Sequence, residues 1–259
     1  AEARALYRWV MEERFGLSQA QLLMGKDTEL SADERKELDI IVRRMAKGEP
    51  VQYVLGYTTF RNSRFKVSPS VLIPRPETQE LVALALREHP ASCRMLDIGT
   101  GSGCIAISLA LEGHEVWACD VSADALRVAE ENARRLLAAV TFCQTDVLVE
   151  RPFVGTRFHA IVSNPPYICQ RERAEMHANV LEHEPHLALF VPDADPLLFY
   201  RRITRLATEA LEEGGSLYFE CNRAYAREVA EEMRKAGFVA VEVHKDMFEN
   251  ERFVSGQLG

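Results

Sequence analysis

The sequence predicts an α/β fold: an open, mainly parallel sheet covered on both faces by helices, behind a small helical domain and a β-hairpin. Three observations predict it. From residue 94 onward, short apolar segments rich in strand formers alternate with stretches of helical periodicity. The first of these segments ends in a glycine-rich turn that opens directly into an apolar helix. The first 48 or so residues carry helical patterning of their own. A chain of 259 residues exceeds one typical domain of about 100–150 residues, so a small domain joined to a full α/β domain fits the length.

In the N-terminal region Leu6, Val10 and Phe15, then Leu22 and Leu23, recur at roughly helical spacing. Ser31-Ala32-Asp33-Glu34 has the form of a capping box, with Ser31 accepting from the Glu34 amide and Glu34 reaching back. The helix it starts carries Leu38, Ile41, Val42 and Met45 on one face and should stop at Gly48, with Pro50 just beyond. From Gln52 to Val67 the chain turns aromatic and β-branched around Arg61-Asn62-Ser63. That predicts a hairpin with Asn62 in a left-handed turn position. Val71 to Glu77 is a proline-punctuated linker that opens a helix from about Thr78 to Arg87. Strands are then expected at 94–98, 115–119, 139–143, 158–163, 215–220, 238–244 and 252–258, and helices at 103–112, 122–136, 196–212 and 223–236. Only the loop Asp246 to Glu251 separates the last two strands, so they should form an antiparallel hairpin at one edge.

Composition narrows the function. The formal net charge of −8 argues against tight, salt-dependent nucleic-acid binding, whose usual mark is a basic surface. No apolar run approaches the ~18 residues of a membrane span, and the charged, helix-like start is unlike a signal peptide. A start at Ala1 leaves room for a few preceding residues. Cys93, Cys104, Cys119, Cys143, Cys169 and Cys221 form no Cys-x-x-Cys pair, which predicts free buried thiols in a reducing cytoplasm. The seven histidines show no HExxH motif and no clustering with cysteine, so no metal is expected.

The glycine turn is Asp97-Ile98-Gly99-Thr100-Gly101-Ser102-Gly103-Cys104. Glycines allow positive φ and a close approach of ligand to backbone, and the helix that follows offers free N–H groups to an anion. Dinucleotide sites prefer G-x-G-x-x-G, which would need glycine where Cys104 stands. The spacing here is G-x-G-x-G, the pattern usual for S-adenosyl-L-methionine. Asp120 ends the next strand about 20 residues on, where a carboxylate accepts from ribose hydroxyls. Asp146, after the third strand, is placed to accept from an adenine amino group, the alternative being a solvated loop cap.

The more specific signal is Asn164-Pro165-Pro166-Tyr167 at the end of a buried strand, where open α/β sheets bind ligands. Asn164 and Pro165 each precede a proline and are held extended. A planar –NH2 group could give one hydrogen to the Asn164 side-chain oxygen and the other to the Pro165 carbonyl. Tyr167 offers a flat face beside it. This suits methyl transfer to an amide or amine nitrogen. A rigid loop bounding the sheet is the structural alternative.

These residues, with Gly48-Glu49-Pro50-Val51-Gln52-Tyr53-Val54-Leu55-Gly56, Val71-Leu72-Ile73-Pro74-Arg75-Pro76-Glu77-Thr78 and Glu184-Pro185, resemble the HemK/PrmC protein-(glutamine-N5) methyltransferases over nearly the whole chain. The resemblance implies a seven-stranded class I (Rossmann-like) domain that uses S-adenosyl-L-methionine, at 77–259. It also implies a helical substrate-binding domain at 1–50 and a hairpin and linker at 51–76. The implied acceptor is the glutamine of the Gly-Gly-Gln motif of peptide-chain release factors, in the cytoplasm, with no membrane and no direct nucleic-acid substrate. Asn164, Pro165, Pro166 and Tyr167 would hold the acceptor. Asp97, Gly99, Thr100, Gly101, Gly103, Asp120, Val121, Asp146, Val147 and Asn164 would surround the cofactor. Phe60 and Arg75 look like positions near the methyl-donor pocket, with hairpin core and a linker salt bridge as their structural alternatives. The chain departs from the family pattern at Glu220-Cys221-Asn222-Arg223-Ala224-Tyr225, where Glu-Ile-Gly and then glutamine are usual; at Asn62, near a usual glycine; and at His183, where tyrosine often stands. The competing enzyme reading is methylation of an exocyclic base amine of the adenine N6 type. A non-catalytic binding module with a relic cofactor site is the third, and the intact glycine turn, Asp120 and Asn164 count against it.

Overall fold

The computed structural model describes residues 2–24 and 30–259, so the helical expectation for residues 1 and 25–29 lies outside the described residues. Helices α1 (Glu2–Phe15), α2 (Gln19–Met24), α3 (Ala32–Ala46) and α4 (Val51–Leu55) come first. Ser31 caps α3 with both halves of the capping box formed. Val10, Ile41 and Val51 are buried together, with Leu6, Trp9, Leu38 and Met45 packed around them. Val42 does not join them and is 52% exposed. The neighbours cover only a narrow stripe of α3, and Val42 lies off it.

The hairpin is shorter than its composition predicts. Val51 to Leu55 is a helical turn, not a strand: Pro50 starts it and Gly56, at φ 82°, ends it in the left-handed conformation. Burial of Val51 and Tyr53 overrides their strand preference. Strands β1 (Tyr57–Phe60) and β2 (Ser63–Lys66) follow. The left-handed turn residue is Arg61, φ 50°, rather than Asn62. Its amide donates to Gln79 Oε1 at 2.9 Å, which ties the turn to the next helix.

That helix is α5 (Pro76–Glu88), begun by proline in its first turn. Next come β3 (Arg94–Ile98), α6 (Cys104–Leu111), β4 (Glu115–Asp120), α7 (Ala123–Leu136), β5 (Val140–Gln144) and β6 (Phe158–Ser163). Residues 168–191 hold elements too short to leave a sequence period: β7 (Ile168–Cys169), a 3₁₀ turn, α8 (Ala178–His183), α9 (His186–Leu189) and β8 (Phe190–Val191). The chain closes with α10 (Leu198–Ala210), β9 (Leu211–Glu220), α11 (Ala226–Lys235), β10 (Phe238–Lys245) and β11 (Glu251–Leu258).

The central sheet has seven strands in the order β10-β11-β9-β6-β3-β4-β5. β9, β6, β3, β4 and β5 run parallel, and β11 and β10 form the expected antiparallel edge. Helices α10 and α11 cover one face through Tyr200, Ile203, Leu206, Val229 and Met233. α5, α6 and the hairpin cover the other through Leu81, Ile107, Phe60 and Phe65. Asn132, fully buried on α7, joins layers: its side chain bonds Lys66 N and O in β2 and Ser102 O in the glycine turn. Four of the cysteines are buried, but Cys93 and Cys143 are only half-buried. Among the described residues no helix is long and apolar enough to cross a membrane.

Gly103 shows how tightly the turn packs. It has φ 82°, and a Cβ there would meet Ile107 Cδ1 at 2.9 Å and Ala129 Cβ at 3.1 Å. Gly103→Ala should therefore lower stability by about 1–3 kcal/mol, read as a lower denaturation midpoint. An unchanged midpoint would show that this packing is not needed.

Candidate functional site

The site follows from strand order. After β3 the chain builds β4 and β5 on one side, then returns to place β6 on the other. The crevice beyond the carboxyl ends of β3 and β6 is thus the switch point where such sheets bind ligands. Ile98 pairs with Ser163, and the Ser163 hydroxyl donates to the Ile98 carbonyl at 2.7 Å. Gly99 and Asn164 therefore leave the sheet side by side.

Gly99, Gly101, Asp120, Val121, Asp146, Val147, Asn164, Pro165 and Pro166 line one cleft of about 870 Å³. Its roof comes from the linker at Ser70, Val71 and Leu72 and from Pro185, Leu187 and Ala188. Asp97, Thr100 and Gly103 stand behind the cleft. The Thr100 hydroxyl and the Ala106 amide both donate to Asp97 Oδ2, at 2.7 and 3.1 Å. Asp120 takes the Gly101 amide on one oxygen and the Ser122 amide on the other, each at 2.9 Å. Asp146 accepts from the Leu148 amide at 2.9 Å, so it also caps its own loop.

Two expected residues lie elsewhere. Phe60 is 1% exposed and packs edge-on against Phe65 at 5.9 Å, so it belongs to the hairpin core and does not line the cleft. Arg75 lines a second cavity of about 640 Å³ with Tyr167, Ile168, Met176, His177 and Val180. There it pairs with Glu184 at 2.6 Å, and Glu184 also receives the Ile73 amide at 3.2 Å. Glu184 is 4% exposed and so fastens the linker to the segment before α9.

Leu72, Asn164 and Ala188 line both cavities. Among the described residues, Asn164 Nδ2 donates to Thr78 Oγ1 at 3.2 Å, and the Thr78 hydroxyl donates to Glu220 Oε2 at 2.7 Å. The Tyr167 hydroxyl reaches Glu220 Oε1 at 3.3 Å. Burial raises the pKa of Glu220, against the pull of the Thr78 hydroxyl and the Arg252 charge. Nothing local in the sequence marks Thr78, Glu184 or Asn132, because the partners of each lie far along the chain.

The residues fit a cationic nucleoside. Burial pushes the Asp97 carboxyl up to about 7, with the Thr100 and Ala106 hydrogen bonds opposing and the Asp120 charge adding to the rise. Asp97 Oδ1 is buried with no hydrogen-bond partner among the described residues. Burial raises Asp120 as well, against the amides of Ser122, Gly101 and Val121. Two carboxylates raised by burial gain from a nearby positive charge. No cluster of three or more His, Cys, Asp or Glu suited to a metal lies among the described residues.

A prediction follows for Asp97→Asn. Both donors converge on Oδ2, so the asparagine oxygen can take both and its NH2 replaces the orphaned oxygen. The folded pKa of about 7 lies above the ordinary 3.8, so stability linked to the bound proton is present in acid and lost as pH rises through about 7. The variant should therefore gain in melting temperature over the natural chain as pH rises from about 5 to 8, while losing affinity for S-adenosyl-L-methionine. A stability difference that does not vary with pH would contradict this.

The comparisons with known proteins agree with this geometry. The methyltransferase small domain family matches residues 77–187, and the PrmC N-terminal domain matches residues 1–56. The release factor glutamine methyltransferase of Bacteroides thetaiotaomicron is 48% identical over 256 residues, 98% of this chain and 92% of its own length. That of Flavobacterium psychrophilum is 40% identical over 98% of this chain and 91% of its own. Among solved structures, a methyltransferase from Pyrococcus furiosus matches with TM-score 0.56 at 16% identity, over 87% of this chain and 98% of its own. A T. thermophilus 16S rRNA methyltransferase in complex with AdoMet and guanosine matches with TM-score 0.55 at 17% identity, over 78% and 50%. These structures share the fold alone, whereas the sequence relatives share nearly the full length. The chain belongs to the release factor glutamine methyltransferase family.

Proposed function

We propose that this chain transfers a methyl group from S-adenosyl-L-methionine to the side-chain amide nitrogen (N5) of the glutamine in the Gly-Gly-Gln motif of peptide-chain release factors, leaving S-adenosyl-L-homocysteine. Family membership supports the reaction class. The observation that carries the chemistry is Asn164, which stands where the two cavities meet with its amide nitrogen engaged by Thr78.

A glutamine entering the second cavity past Arg75 and Tyr167 brings a flat –NH2 group to Asn164. One hydrogen goes to Asn164 Oδ1 and the other to the Pro165 carbonyl. The two prolines hold both acceptors stiffly, since each fixes its own φ and restricts the residue before it. Bound in the cleft, S-adenosyl-L-methionine supplies a methyl already activated by its positive sulfur. An amide nitrogen is a poor nucleophile because its lone pair is shared with the carbonyl. Gripping both N–H bonds aims that lone pair, and orientation of this kind contributes ~7–11 kcal/mol in favourable cases. Once the nitrogen is alkylated one of its protons turns strongly acidic and passes to water, so Asn164 and Pro165 need only orient the N–H bonds and no strong base is required.

Residues 1–50 are assigned to gripping the protein substrate, 51–76 to linking, and 77–259 to cofactor and chemistry. The reaction belongs in the cytoplasm, where release factors meet the ribosome. Methylation of an exocyclic base amine is not favoured: the full-length relatives bear the release factor name, and a net charge of −8 offers little to a phosphate backbone.

Mass spectrometry of a release factor after incubation with this protein and the methyl donor should find one added CH2 on the Gly-Gly-Gln glutamine. Methyl transfer only to DNA or RNA would refute the assignment. Asn164→Ala is expected to cut methyl transfer by well over tenfold, about 1.4 kcal/mol of barrier, with calorimetric cofactor affinity retained. Turnover within tenfold of the natural chain would remove the clamp from the mechanism.

A further inference from the structure

We propose that Glu220, acting through Thr78, is the positioning residue that decides which way round the Asn164 carboxamide faces, and so commits the site to a methyl acceptor of the –NH2 kind. The inference rests on the reading of the acceptor as a carboxamide nitrogen, and adds how the site recognises it.

Glu220 ends β9, the strand beside β6. Their register pairs Ser163 with Phe219, so Asn164 and Glu220 leave the sheet level with each other. Thr78, in the first turn of α5, bridges them. A threonine hydroxyl has one hydrogen to give, and a carboxylate has none. Both oxygens of Glu220 receive a hydroxyl hydrogen, one from Thr78 and one from Tyr167. Thr78 therefore spends its hydrogen on Glu220 and offers Asn164 only lone pairs. Asn164 meets it with the NH2 group and turns its oxygen the other way. Thr78 is 3% and Glu220 1% exposed, so the bond between them is closed to bulk solvent.

Packing alone does not account for these groups. A buried carboxylate is costly, and replacing such a group with apolar residues is often neutral or stabilising. Arg252, whose charge acts on Glu220, has its own hydrogen bonds to Asp246 and to the Cys221 carbonyl. What the carboxylate provides is polarity. With the Asn164 amide reversed, its NH2 would face the N–H bonds of the acceptor, donor against donor. The reversed site would suit a carboxylate such as glutamate. The relay thus separates a glutamine side chain from its acid counterpart at the point of methyl transfer.

Thr78→Val removes the hydroxyl at nearly constant volume, and Thr78→Ser keeps it. Both are to be made in the full chain and assayed with a release factor for kcat and KM, alongside calorimetric affinity for S-adenosyl-L-homocysteine. Valine should lower kcat by about tenfold or more, with KM and nucleoside affinity unchanged within about twofold. Serine should restore most of the rate. In an Asn164→Ala background valine should add no further loss, because both changes break one unit. Natural-chain kcat in Thr78→Val would overturn the relay. So would a loss fully additive with Asn164→Ala, or one accompanied by lost nucleoside affinity, since either marks a merely structural role. A natural chain that leaves the release factor unmethylated would overturn the underlying reading, and the relay with it, before any variant is compared.

Discussion

The site depends on the parallel register of β3 and β6. Because Ile98 lies opposite Ser163, the glycine turn and the Asn-Pro-Pro-Tyr segment emerge together from the sheet. A slip of one residue would turn every side chain of β6 to the opposite face and would move Asn164 away from Gly99. The register is anchored by the buried bond from the Ser163 hydroxyl to the Ile98 carbonyl and by side chains packed on both faces, Leu96 and Ile161 toward one, Met95 and Val162 toward the other. The neighbouring register of β6 with β9 then brings Glu220 level with Asn164. Three strand ends thus bring the glycine turn, the Asn-Pro-Pro-Tyr segment and Glu220 to the same edge of the sheet.

Against that scaffold the site holds polar groups that burial disfavours. Asp97 and Glu220 are 0% and 1% exposed, and burial raises both. Each is held by hydroxyl or amide donors from the chain rather than by a direct ion pair, so each keeps a defined direction. Asp97 fixes the shape of the turn through Oδ2 and leaves Oδ1 unmatched. Glu220 fixes the direction of two hydroxyls. The Arg75–Glu184 pair differs in kind: it joins the linker to the segment before α9 and so sets the wall that the second cavity shares with the cleft.

Much of this was legible in the sequence, because the constraint was local. The glycine turn must follow β3 directly, since only the next few residues can reach the helix N-terminus. The prolines of Asn164-Pro165-Pro166-Tyr167 restrict their own neighbours. The capping box of α3 spans four residues and forms as written. What stayed hidden depends on partners far along the chain. Thr78 meets Glu220, 142 positions away, and Arg75 meets Glu184, 109 positions away. Val51 to Leu55 carries strand-forming residues yet folds as a helical turn, because Pro50 and Gly56 bracket it and Val51 and Tyr53 are buried. Family likeness puts Phe60 near the methyl-donor pocket, whereas its burial against Phe65 is a consequence of the hairpin's packing. The elements between residues 168 and 191 are too short for periodicity to accumulate.

The central claim is a matter of hydrogen positions: the Asn164 oxygen, not its nitrogen, meets the acceptor. A neutron structure of the protein with S-adenosyl-L-homocysteine and a Gly-Gly-Gln peptide reads those hydrogens directly. It should place both Asn164 amide hydrogens away from the glutamine, one of them on Thr78, and a glutamine hydrogen on Asn164 Oδ1. An Asn164 NH2 group pointing at the bound glutamine, or a glutamine lying beyond its reach, would contradict the account.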